Sequence, residues 1–213
     1  MPTLVSEATA VERKLWTAEE FLDWLQPKIY ADLIGGRKFM HSPVNLRHAN
    51  LLNFVDHLLR RYLEASDLGG QLHRESVAVR LGPRDVFMPD LAWFSPAQVG
   101  QLAETHAPFA PLWVAEALSP RTARRDIGAK FTAYEAHGVR EYWVLDPQTL
   151  AHRFYARDSG GGEIFVEFAQ GEEIIRSREI RGFFVRRAWL DPEKPPKVSA
   201  CLAEILGTDE RAA

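Results

Sequence analysis

Two short stretches with no polar face limit what this chain can fold into. Pro111-Leu-Trp-Val-Ala-Glu-Ala-Leu118 and Glu141-Tyr-Trp-Val-Leu-Asp146 are apolar on both sides of an extended backbone, and strands of that kind need cover on each face. A single sheet open to water is thereby excluded, and central strands covered on both faces are expected. Between the two runs, residues 124–137 carry Ile127, Phe131 and Tyr134 at helical spacing, and Gly138 supplies a stop.

The rest of the chain fits around that centre. Thr17-Ala-Glu-Glu20 has the form of a capping box and predicts a helix over 17–26, ended by Pro27. Asp32-Leu-Ile-Gly-Gly36 leads hairpin-fashion into a strand at Lys38–His41. His48, Leu52, Val55, Leu59 and Tyr62 recur every three or four residues and predict a helix over 44–65, ending before Gly69-Gly70. Strands are expected at 76–81 and 86–94 around the turn Gly82–Asp85, with a meander of strands at 152–156, 164–168 and 182–185. Pro192, Pro195 and Pro196 precede a short helix at Ala200–Leu206. The division expected is a flexible segment at 1–15, one domain at 16–190, and a C-terminal linker and helix at 191–213.

Composition narrows the function classes. The 213 residues are 46% hydrophobic and 26% charged, ordinary values for a globular protein, and the formal net charge of −3 does not announce a nucleic-acid binder. Any DNA contact must therefore come from local patches. No apolar run approaches the roughly 17–25 residues of a membrane-spanning helix, and the first residues lack the pattern of a secretory signal, so a cytoplasmic protein is expected. The lone Cys201 permits neither an internal disulfide nor a cysteine-rich zinc site, and reads as a small apolar residue of the last helix. Phosphate-loop, dinucleotide-fold, nucleophile-elbow and His-Glu-x-x-His motifs are all absent from the sequence.

What remains is two acids in apolar surroundings. Asp90 lies in the middle of the 86–94 run and Glu116 in the middle of the 111–118 run. An ionised carboxylate in a low-dielectric sheet costs several kcal/mol unless it is paired, protonated or bound to a metal. Two acids on neighbouring strands oppose each other's ionisation, and a divalent cation between them reverses that penalty. Hard oxygen donors of this kind suit Mg2+ or Mn2+; the alternative for each acid is an Arg partner. Lys130, four residues after Asp126, fits either a surface ion pair or an ammonium turned toward the two acids.

The ordered set Pro89-Asp90, Glu116-Ala117-Leu118-Ser119-Pro120, Asp126-x3-Lys130-x3-Tyr134-x3-Gly138-Val139-x-Glu141-Tyr142-Trp143-x2-Asp146-Pro147 resembles the Uma-two family, formerly domain of unknown function family 820, of the PD-(D/E)XK superfamily. Tyr30-x-Asp32-Leu-Ile-Gly-Gly36 and the helix with His48 extend the likeness over residues 16–190. The resemblance implies an α/β domain with a restriction-endonuclease-like mixed sheet flanked by helices, enlarged by extra strands. It implies Asp90 and Glu116 as metal-binding acids, with the Ala117 carbonyl as a further ligand. Leu118 stands where the superfamily's lysine would, so Lys130 of the following helix is the implied replacement. Asp32 stands in place of a family Glu and is a shorter acid. Asp32 and His48 complete the candidate catalytic set, although His48, on the apolar side of its helix, reads first as a satisfied core histidine, while Tyr134 and Trp143 read as core residues. Arg121, Arg124 and Arg125 are candidate phosphate contacts. The function implied is metal-dependent hydrolysis of DNA, leaving a 5′-phosphate and a 3′-hydroxyl, by a protein with room for a homodimer face. The rival is a non-catalytic module that binds nucleic acid or protein on the same fold.

Overall fold

The computed structural model describes residues 14–41, 45–119, 123, 127–158 and 162–209. Most of the N-terminal segment and Arg121, Arg124, Arg125 and Asp126 lie outside the described residues.

The described residues build a five-stranded sheet, a six-stranded sheet and a two-stranded ribbon. Helix α1 (Ala18–Trp24) starts at the expected capping box: Thr17 Oγ1 accepts from the Glu20 amide, and the Glu20 carboxylate accepts from the Thr17 amide. Strands β1 (Ala31–Ile34) and β2 (Arg37–Met40) form the hairpin, with Asp32 opposite Phe39 and Gly35-Gly36 as its two-residue turn. Both turn glycines have positive φ, as a turn matching strand twist requires. Helix α2 (Leu46–Ala65) begins at Asn45, whose side chain accepts from the His48 amide.

Strands β3 (Gln71–Arg74), β4 (Ala78–Gly82), β5 (Asp85–Phe87) and β6 (Leu91–Phe94) follow, then the short helix α3 (Pro96–Val99) and strand β7 (His106–Ala107). The 86–94 run is therefore not one strand. It breaks at Met88-Pro89-Asp90, where Pro89 has no amide to donate to a ladder. β5 belongs to a five-stranded sheet ordered β2-β1-β5-β4-β7. β6 belongs to a six-stranded sheet ordered β11-β10-β9-β8-β6-β3. Asp90 thus sits on the crossing between the sheets and not inside a strand, which corrects the expectation from sequence.

The six-stranded sheet holds the two apolar runs as its parallel pair, β8 (Trp113–Ala117) and β9 (Glu141–Leu145), joined through helix α4 (Ala129–Ala136). Strands β10 (Arg153–Arg157) and β11 (Phe165–Phe168) extend it by antiparallel pairing. The 182–185 segment does not join that meander. It lies at β13 (Phe184–Arg186), which pairs with β12 (Ile174–Arg176) as a separate two-stranded ribbon. Helix α5 (Val198–Asp209) closes the described chain.

Period-two alternation separates the faces of β8. Trp113, Ala115 and Ala117 pack under α2 and α5, with Trp143, Leu52, Leu59, Cys201 and Ile205 in the same core. Val114 lies on the opposite face with Tyr134 of α4, Tyr142 and Phe87 of β5. Trp113 and Trp143 are fully buried; a tryptophan buries roughly 150–250 Å2, on the order of 4–6 kcal/mol of transfer free energy. Burial pushes the Cys201 thiol up to about 11, which fits its reading as an apolar core residue. Ile127, in contrast, is exposed and leaves the helical stripe expected for it. Among the described residues no helix is long and apolar enough to cross a membrane.

Candidate active site

Glu116 shares the β8 face of Val114, so the strand aims its carboxylate between the two sheets, under α4. There it is 2% exposed, and it has two donors on one oxygen: Lys130 Nζ lies 2.9 Å from Oε1 and the Tyr134 hydroxyl donates to the same atom over 2.7 Å. Lys130 and Tyr134 are one turn apart on α4, which places both side chains on the face that meets Glu116.

The other side of Lys130 is taken by Asp32 from β1 of the five-stranded sheet. Its Oδ2 stands 3.1 Å from Lys130 Nζ, and 3.1 Å from His41 Nε2 at the end of the hairpin. Its Oδ1 accepts from the Met88 amide over 2.9 Å. Burial opposes ionisation of Asp32, yet the Lys130 ammonium, the His41 ring and the Met88 amide overcome it and hold the acid at about 2. A shorter acid than Glu thus still reaches the lysine, with the Met88 amide, just past β5, holding its other oxygen. Tyr134 is held well above its ordinary value by burial and by the Glu116 charge beside it, so it remains a hydrogen-bond donor.

Asp90 approaches from the crossing between sheets. Its Oδ2 accepts from the Ala117 amide over 2.7 Å, tying it to the residue after Glu116. His48 Nε2 lies 3.5 Å from the same oxygen, an ion-pair distance. Burial works against a charged His48, but the Asp90 carboxylate, aided by the Ala117 backbone and the Glu75 charge, raises its pKa above the ordinary value. His48 Nδ1 is buried and has no hydrogen-bond partner among the described residues. The helix α2 thus turns one nitrogen of His48 toward the acid.

The structure thus brings Asp90, Glu116, Ala117, Lys130, Asp32 and His48 to one seam. Sequence reasoning missed Tyr134 as a site residue and passed over His41. The i, i+4 spacing from Lys130 marks Tyr134, and the hairpin register marks His41. With Asp32 opposite Phe39, His41 is a diagonal neighbour of Asp32 on the same face. Trp143 remains a core residue, its indole donating to the buried Glu141. Glu141 also accepts from Ser177 Oγ and the Arg178 and Glu179 amides. Burial pushes it up to about 7 against those four hydrogen bonds.

Among the described residues no group of three His, Cys, Asp or Glu is placed to hold a metal ion unaided. Mg2+ does not require one, since it binds through one or two carboxylates and completes its octahedron with water and phosphate oxygens. The candidate ligands, Asp90, Glu116 and the Ala117 carbonyl, would offer a cation only oxygen atoms; Asp90 Oδ2 is already bonded to the Ala117 amide and Glu116 Oε1 to Lys130. That set fits a hard divalent cation and not zinc, which prefers nitrogen and sulfur.

Comparison with known proteins bears on the fold and the family. A crystal structure titled as that of a putative nuclease belonging to DUF820 from Anabaena variabilis ATCC 29413 superposes with a TM-score of 0.62, covering 89% of this chain and 98% of that one. At 14% identity the likeness shows a shared fold. No curated protein matches the chain. The family model described as "Uma2: Putative restriction endonuclease" matches residues 18–188. The chain, with its helix-flanked mixed sheets, belongs to the Uma2 family.

Proposed function

We propose that the chain is a Mg2+- or Mn2+-dependent endonuclease that hydrolyses DNA phosphodiester bonds. The observation that carries this reading is a buried lysine, Lys130, held between Glu116 and Asp32, with Asp90 bonded to the amide of the residue after Glu116. A cation held by Asp90, Glu116 and the Ala117 carbonyl would lower the pKa of bound water and offset charge on the phosphate. The protein's own part is positioning. Lys130 brings an ammonium to within 2.9 Å of Glu116, where it orients an attacking water or stabilises developing charge. Tyr134 and Asp32 fix Glu116 and Lys130 in turn. His48 holds Asp90 from the side of α2. Cutting both strands calls for two such sites, so this reading includes a homodimer.

The test combines cleavage with a readout that needs no substrate. Supercoiled plasmid should be nicked or cut with Mg2+ or Mn2+ and left intact in EDTA. Mn2+ should raise the melting temperature of the parent and not that of Asp90→Asn. Lys130→Ala leaves two buried carboxylates without their shared cation, so Lys130→Arg is tested with it and folding is followed by circular dichroism. Folded lysine variants should lose cleavage. Cleavage at the parental rate would remove Lys130 from the reaction. A parent that neither cuts DNA nor responds to Mn2+ would favour the binding module over the enzyme.

A further inference from the structure

The Asp32 carboxylate has a donor that the proposed chemistry does not require. Lys130 and His41 both lie 3.1 Å from Oδ2, while Met88 holds Oδ1. The buried set of Asp32, Glu116 and Lys130 contains two acids and one ammonium. An acid held only by the lysine would be free to turn about its side chain toward any other donor. With Oδ1 fixed by a backbone amide and Oδ2 shared between two nitrogens, it has one orientation, and that orientation places the lysine. His41 is itself anchored: its amide donates to the Tyr30 carbonyl over 2.8 Å, extending the hairpin register by one pair and delivering the ring to the Asp32 face. The His41 side chain is 21% exposed, against 4% for Lys130 and 2% for Asp32, so it forms the outer wall of the buried pair.

We propose that His41 is a positioning residue, which fixes Lys130 by holding the Asp32 carboxylate that the lysine shares. The proposal rests on the endonuclease reading for its catalytic consequence but not for its geometry. It concerns the imidazole as a hydrogen-bond donor and needs no change in its charge. His41→Ala should leave Oδ2 with less restraint and lower kcat for plasmid cleavage by about ten- to a hundredfold, because small misplacements of a catalytic group cost that much. KM for DNA should stay within about twofold, since uniform binding is untouched. His41→Gln, which can return an N–H to the same oxygen, should recover most of the rate.

A second measurement stands apart from activity. In protein labelled with 15N-lysine, the Lys130 ammonium should give a signal protected from exchange in the parent, lost in His41→Ala and restored in His41→Gln. A Lys130 signal unchanged in His41→Ala overturns the positioning role whether or not the parent cuts DNA. A changed signal in a parent that does not cut would leave His41 as the holder of Lys130 and reject the endonuclease reading. Equal kcat for parent and His41→Ala, in protein that does cut, would also overturn the proposal.

Discussion

At the scale of single residues, Asp32 is where electrostatics decides the outcome. A carboxyl buried to this degree would ordinarily resist ionisation, yet Lys130, His41 and the Met88 amide hold it at about 2, below its ordinary 3.8. The linkage has a definite sign. A depressed pKa contributes stability that is complete above the unfolded value and is lost as pH falls through the folded one. The protein should therefore lose stability between about pH 4 and pH 2, with Asp32 supplying roughly 2 kcal/mol of the change. Asp32→Asn should flatten that part of the curve in denaturant titrations. At neutral pH the same variant should be weaker than the parent by roughly 3 kcal/mol, because a buried cation has lost one partner. A parent and variant with parallel acid limbs would show that Asp32 is not the group responsible. The sequence marks Asp32 only as an acid between apolar residues. Its buried partner is a lysine 98 positions away, which two sheets must dock to deliver.

At the scale of elements, the approach to β3 is the tightest local constraint. Gly70, between α2 and β3, has φ +83, and a Cβ there would stand 2.4 Å from the Phe94 carbonyl and 2.7 Å from the Trp93 indole nitrogen. Gly35 in the β1–β2 turn also has positive φ, +55, but a Cβ there meets nothing within 4 Å. Gly35→Ala should cost about 1–2 kcal/mol for the backbone conformation alone. Gly70→Ala should cost several kcal/mol more than its backbone term, since backbone and a buried indole must both move. Equal losses in melting experiments would refute the close approach. Legibility in the sequence followed the same local-to-distant gradient. The α1 capping box, the Gly-Gly hairpin and the α2 stripe each depend on residues within one or two turns, and each stands where the pattern puts it. The 86–94 run misled because alternation and apolarity continue smoothly through Pro89, while the proline ends one ladder and lets the next residues join another sheet.

At the scale of the molecule, the seam between sheets is the candidate site. Asp32 comes from the five-stranded sheet, Glu116 from the six-stranded one, Asp90 from the bend that connects them, and Lys130 from the helix between the parallel strands. With a net charge of −3 the protein would meet DNA against its overall charge, so the proposed phosphate contacts would have to be local. If Arg121, Arg124 and Arg125 each neutralise one phosphate, replacing all three by Ala should reduce the slope of log K against log salt by roughly 0.9 per contact. An unchanged slope in binding titrations would move the DNA path to another face.

The sequence by itself determined the buried strands, the amphipathic helices, the caps and turns, and which acids stand out chemically, because each of these is fixed by side-chain type and spacing along a few residues. It also carried the ordered motif by which the family is recognised. Only the tertiary structure decided that β5 and β6 part into different sheets, that Lys130 turns inward to Glu116 and Asp32, and that Tyr134 and His41 join them. Those arrangements depend on strand register and sheet docking. They bring together groups up to about a hundred residues apart, and the free energy that selects them is the satisfaction of buried charges, which no local window contains.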